Sequence, residues 1–170
     1  LIPQPGDVFP LQVPAIYHLD RREVIPLCGP TARAGVPSFS ASGLTVFTVD
    51  QELRVVNQAG ETVASWPLGH YVNLAVISPD GTRVAYNTPD DQVAVLAVSG
   101  GESTRLTDGR DACVKPVWSP DSTRLAVSTI DARLKCIDLQ SRQVHDLDEG
   151  TDASWAPDSQ TAFYTRTVRL

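Results

Sequence analysis

Apolar residues in this chain come in short bursts separated by Pro, Gly, Asp and Ser, and inside each burst they tend to alternate with polar ones. Alternation with period two marks a strand, and no segment sustains the 3.6-residue period of an amphipathic helix. The pattern therefore predicts an all-β protein. In one well-marked stretch it places strand A over residues 74–77, B over 83–87, C over 92–98 and D over 103–106. Short strands with turn signals at this spacing suit antiparallel sheets.

The stretch recurs. Ile77-Ser78-Pro79-Asp80-Gly81-Thr82-Arg83-Val84-Ala85-Tyr86 returns as Trp118-Ser119-Pro120-Asp121-Ser122-Thr123-Arg124-Leu125-Ala126-Val127 and as Trp155-Ala156-Pro157-Asp158-Ser159-Gln160-Thr161-Ala162-Phe163-Tyr164. Residues 39–47 are a degraded copy, and the leading residues Phe39, Ile77, Trp118 and Trp155 lie 38, 41 and 37 positions apart. A period of about 40 residues filled with strands is the signature of propeller blades. The phrase has a physical reading. Ser-Pro stops strand A, because proline gives no N–H to the ladder. Asp-Gly then turns the chain, the carboxylate bonding backbone two residues on and glycine taking positive φ. Ser122 and Ser159 stand where Gly81 does, so those turns are expected to be strained or of another type. Asp80, Asp121 and Asp158 read as turn caps, and Trp118 and Trp155 as inter-blade core. Trp66 falls outside the repeated position.

Three units are complete, at about residues 36–73, 74–114 and 115–152. Residues 15–27 supply only strands C and D, residues 153–170 only A and B, and residues 1–14 read as a proline-rich arm or linker. The expected fold is a β-propeller of four-stranded antiparallel blades, about four blade equivalents, with the terminal one split between the two ends. Either the two halves close one blade and hide its edges, or the chain is an arc of a larger ring. The sequence leaves both open. It has no methionine, not even at position 1, which points to a processed product or an excised segment.

The repeated phrase resembles the propeller repeats of the TolB family, which also occur in the propeller domains of prolyl-oligopeptidase-type peptidases. The resemblance runs through Phe39–Val46, Ile77–Tyr86, Trp118–Val127 and Trp155–Tyr164. It implies a non-catalytic, protein-binding domain outside the cytoplasm, in the periplasm or at the cell surface. Two other roles are consistent with such repeats. One is the extracytoplasmic sensor domain of a signalling or regulatory protein tethered to a membrane outside this segment. The other is the gating propeller of a peptidase whose catalytic domain is separate; this chain has no Gly-x-Ser-x-Gly elbow.

A net charge of −6 and a pI near 4.9 argue against nucleic acid as the main ligand. The acidic residues concentrate in two loop classes. The B–C connections carry Asp50, Glu52, Asp90, Asp91 and Asp131, and the D–A connections carry Asp108, Asp111, Asp148, Glu149 and Asp152. In a propeller both classes emerge on one face. The expected partner-binding surface is therefore Asp50, Asp90, Asp91, Asp108, Arg110, Asp111 and Asp131, with Lys115 and Arg133 as further offsets, facing a protein partner with a basic patch. No cofactor is indicated. His18, His70 and His145 lack metal-ligand spacing, and the loop aspartates are too scattered for a calcium cage. Cys28, Cys113 and Cys136 form neither a CxxC pair nor an even framework; Cys28–Cys113 is the one bridge the spacing suggests, against three isolated thiols. The oligomeric state is left open.

Overall fold

The computed structural model describes residues 13–30, 33–72, 74–166 and 168, so most of the expected N-terminal arm lies outside the described residues. Three four-stranded antiparallel sheets follow one another. The first, blade 1, contains β3 (Ser38–Phe39), β4 (Thr45–Val49), β5 (Glu52–Val56) and β6 (Thr62–Pro67). Blade 2 contains β7 (Ala75–Ile77), β8 (Arg83–Asn87), β9 (Val93–Ala97) and β10 (Thr104–Arg105). Blade 3 contains β11 (Cys113–Trp118), β12 (Arg124–Thr129), β13 (Arg133–Asp138) and the first half of β14 (Val144–Trp155). In each sheet the strands lie side by side in chain order, A-B-C-D, which is the build of a propeller blade. Before them, β1 (Ala15–His18) and β2 (Glu23–Pro26) form a two-stranded sheet in the C and D positions. After them, the second half of β14 pairs with β15 (Ala162–Arg166) as strands A and B. Among the described residues no ladder joins β15 to β1.

The core lies between blades. Val46, Leu53 and Val55 of blade 1 pack with Ile77, Val84 and Tyr86 of blade 2, and Trp66 packs against the same cluster. Ala85, Val93 and Val95 of blade 2 pack with Trp118, Leu125 and Val127 of blade 3. Alternate residues of one strand thus serve opposite neighbours: Val84 and Tyr86 face back and Ala85 faces forward. This is why β4 is buried along its whole length. The Trp118 indole N–H donates to the Val76 carbonyl at 3.0 Å, and that of Trp155 to the Val117 carbonyl at 3.1 Å, each tying its blade to the one before. In blade 1 the A–B turn is one residue shorter. Ser40 N–H reaches the Leu44 carbonyl, whereas Ser78 reaches Arg83 and Ser119 reaches Arg124. That missing residue explains why the first copy of the phrase reads as degraded.

The A–B turns are knitted from blade to blade. Asp80 accepts from the Ser78 hydroxyl, the Thr82 N–H and the Thr82 hydroxyl, and Asp121 repeats this with Ser119 and Thr123. Ser122 and Ser159 hold φ of 61° and 59°. Their hydroxyls accept the N–H of Asp80 at 3.1 Å and of Asp121 at 3.0 Å, each in the preceding blade. At the equivalent Gly81 a Cβ would sit 2.1 Å from the Ser42 hydroxyl of blade 1. Glycine is required there because blade 1 already fills the space.

Two expectations are corrected. Asp148, Glu149 and Asp152 do not lie in a D–A loop. They belong to β14, which runs unbroken from blade 3 into the final pair, bending at an irregularity between Thr151 and Ser154. Residues 144–155 contain no proline to break the strand, and Gly150 passes so close to Tyr164 and Thr165 that a Cβ would meet the Thr165 carbonyl at 2.5 Å. The Cys28–Cys113 bridge is absent: all three cysteines are free thiols, with Cys113 in the cluster between blades 2 and 3 and Cys28 against the one where Ile16 and Leu27 pack on blade 1. Burial pushes all three thiols above their ordinary pKa.

Candidate interaction face

The B–C and D–A loops meet on one face and are bonded to each other. Around blade 2 the link is Gln92, whose side chain is buried between them. Its amide N–H donates to the carbonyl of Asp111 at 2.9 Å, while its oxygen accepts from the Thr107 hydroxyl at 2.6 Å and the Gly109 N–H at 3.0 Å. The Cys113 N–H donates to the Asp91 carbonyl at 2.6 Å. The pattern repeats elsewhere: Leu68 N–H to Gln51, Ile130 N–H to Ala112, Gly150 N–H to Ala132 and Asp50 N–H to Arg33. Asp50 and Asp91 hold φ of 53° and 55°, so both acids stand on tight turns with fixed backbone. Breaking one of these bonds would leave a buried polar group unpaired, at a cost of about 1–3 kcal/mol.

Cations lie beside most of the carboxylates of this face. Asp90 pairs with Arg105 at 2.8 Å, Asp108 with Arg110 at 3.0 Å, Asp111 with Lys135 at 2.7 Å and Asp131 with Arg133 at 3.4 Å. The Thr88 hydroxyl, helped by Arg105, holds the Asp90 carboxyl below its usual range, and the Thr129 hydroxyl with Arg133 does the same for Asp131. Asp91 has no cation within ion-pair distance among the described residues. Lys135 is the one cation here that is largely buried. It bridges Asp111 to Asp146 of β14, at 2.7 and 2.8 Å, and the two carboxylates raise its pKa above the ordinary lysine value. Beside it a groove of about 410 Å³ opens between blades 2 and 3, lined by Arg105, Asp108, Asp111, Lys135 and Arg142.

The sequence-predicted residues are thus brought to one face, but in company the sequence reading missed. Arg105 and Lys135 lie in strands D and C rather than in loops, so a survey of loop charges passes over them. Gln92, directly after Asp90-Asp91, was legible only as a polar strand start. Lys115 pairs with Asp152 at 2.9 Å rather than with the loop acids. The histidines do not converge: His18 bonds the Gln58 carbonyl, His70 the Leu68 carbonyl, and His145 lines a separate groove beside β15. Among the described residues no group of three or more His, Cys, Asp or Glu side chains could hold a metal ion, and no helix is long and apolar enough to cross a membrane.

Sheet order, inter-blade cores and repeating turns together define a β-propeller repeat protein. No protein-family profile matches the chain, and no curated protein matches its sequence. Among solved structures it is similar to the β-propeller domain of Myceliophteria thermophila Cps50 (Swd1), with a TM-score of 0.70 and 15% identity, over 88% of this chain and 54% of that one. The chain therefore spans about half the length of that domain, and the likeness is one of fold.

Proposed function

We propose that this chain is a non-catalytic protein-binding scaffold that presents the face around Asp50, Asp90, Asp91, Asp108, Arg110, Asp111 and Asp131 to a partner protein carrying a basic patch. The observation that carries this reading is the set of bonds locking the two loop classes together, with Gln92 at their centre. Loops held this way lose little entropy on docking. The ion pairs do not oppose it. Exposed pairs are worth little, about 0–1 kcal/mol, so a partner's Arg or Lys can exchange with Arg105 or Arg110 at small cost. Asp91, on the same B–C turn as Asp90, offers a carboxylate without a cation at ion-pair distance among the described residues. In the same reading the chain is an extracytoplasmic propeller, and the support for this is the resemblance of its repeated phrase to TolB-type repeats. The three free thiols neither require nor oppose that location.

The test uses a fluorescein-labelled Arg- and Lys-rich peptide as a stand-in for the basic patch, with binding followed by anisotropy across salt. Asp90→Lys with Asp91→Lys should weaken binding at least tenfold and flatten its salt dependence. Reversal at Glu102, an exposed acid in the C–D turn of blade 2, should leave both unchanged. Equal losses from the two substitutions, or none from the first, would remove the face from the proposal.

A further inference from the structure

Three cations from three different elements line the groove between blades 2 and 3: Arg105 of β10, Lys135 of β13 and Arg142 of the C–D turn of blade 3. The larger groove beside blade 1 has one such residue, Arg54, and the groove beside β15 has Arg124. This gathering occurs in a chain with 14 Lys and Arg against 20 Asp and Glu. The three cations differ in how far they are already engaged. Arg105 donates from Nε to the Thr107 carbonyl at 3.0 Å and pairs through Nη1 with Asp90. Lys135, whose side chain is 13% exposed, uses two of its three N–H donors on Asp111 and Asp146. The Arg142 guanidinium has neither a hydrogen-bond nor an ion-pair partner among the described residues.

Arg142 also holds a backbone conformation that suits glycine, with φ of 58°. It directly precedes Gln143, whose carbonyl closes the turn onto the Asp138 N–H. The residue in that place in blade 1 is Gly60, at φ 81°, before Glu61, whose carbonyl takes the Asn57 N–H. Glycine would serve the turn, and arginine adds an unpaired guanidinium to the groove. The other charges nearby are balanced. Arg105 faces Asp90, Arg110 faces Asp108, and Lys135 stands between two carboxylates. Arg142 is therefore the one lining cation without a counter-charge at ion-pair distance. Leu106, Cys113 and Val144 supply apolar lining, and Leu106 packs on the core between the two blades. At about 410 Å³ the groove falls in the size range of small-ligand sites, about 300–1,000 Å³.

We propose that this groove binds a singly charged carboxylate on a short aliphatic stem. Arg142 donates to the carboxylate, and the stem lies on Leu106 and Val144. The guanidinium fork matches a carboxylate with two parallel N–H bonds. Charge decides between a carboxylate and a phosphate. One cation is uncompensated, so one negative charge completes the site, whereas a phosphate dianion would set its second charge against Asp108 and Asp111. The same chemistry is offered by a free aliphatic acid and by a glutamate side chain of a partner protein. The inference does not rest on the loop-face reading, because its probe is a free acid rather than a basic peptide.

Titration of the whole chain with butyrate, followed by two-dimensional amide NMR, tests it. Saturating shifts should gather at Leu106, Thr107 and Val144 and at the Arg142 side chain, with a dissociation constant in the millimolar range. Arg142→Ala should weaken binding about fivefold, the worth of one partly exposed charge pair, with the rest of the spectrum unchanged because that side chain is exposed and unpartnered. Arg83→Ala, which removes an exposed cation at the start of β8, should leave binding as it was. An acetylated, amidated Ala-Glu-Ala peptide then separates the two sources. Tighter binding than butyrate assigns the site to a partner's glutamate, and weaker binding assigns it to a free acid. Shifts absent from the groove, equal losses from the two substitutions, or inorganic phosphate binding more tightly than butyrate would each overturn the carboxylate site.

Discussion

Ser122 and Ser159 show how a residue can be retained against its own backbone preference. A non-glycine residue at positive φ costs about 1–2 kcal/mol, yet each hydroxyl takes an N–H from the turn of the preceding blade. Ser122→Ala keeps the strained backbone and orphans the Asp80 N–H, so it should lower unfolding stability by about 1–2 kcal/mol. Ser122→Gly loses the same bond but relieves the strain, so it should cost less; urea unfolding in which alanine equals or beats glycine would contradict this account. The turn aspartates give a pH signature. The Ser119 hydroxyl holds Asp121 below its ordinary pKa, and the backbone N–H groups of Gln160 and Thr161 do so for Asp158. Burial raises Asp80, but the Ser78 and Thr82 bonds outweigh it and leave it lowered. A depressed folded pKa means that the unfolded chain binds more protons. The stabilisation is therefore present above the unfolded value and drains away as pH falls, between about pH 5 and pH 3. Urea midpoints should drop over that window, and less steeply in Asp121→Asn.

At the scale of elements, the staples between blades are the tryptophans. Trp118 is the more deeply buried, so Trp118→Phe should cost about 1–2 kcal/mol for the lost bond to Val76 and the smaller ring. Trp155→Phe should cost less, because the groove beside β15 leaves that indole partly open. Guanidinium unfolding that ranks them the other way would show that the final pair is better buttressed than its burial implies. Strand positions were readable because alternation, Ser-Pro stops and Asp-centred turns all act locally. The path of β14 was not. Asp148, Glu149 and Asp152 look like loop composition, and only packing on β15 and Gly150's close approach to Thr165 show that the strand passes straight through. The shortened turn of blade 1 was likewise hidden, since its missing residue shows only once Phe39 pairs with Thr45.

For the whole molecule, the period of the leading residues was enough to imply blades, and the loop-class rule was enough to bring Asp90, Asp91, Asp108, Asp111 and Asp131 to one face. The electrostatic character of that face was not legible, because Arg105 and Lys135 reach it from strands. The backward reach of the turn serines has a consequence for rearranged versions of the chain. Ser159 meets Asp121 as Ser122 meets Asp80, so excising one period between these turns would set Ser159 against Asp80 with the same bond available. Blade 2 is not interchangeable in this way. With glycine at 81 it has no hydroxyl to offer an aspartate before it, and it fits behind blade 1, where Ser42 takes up the room. The order in which modules can be shuffled is thus set by a single side-chain position in each turn.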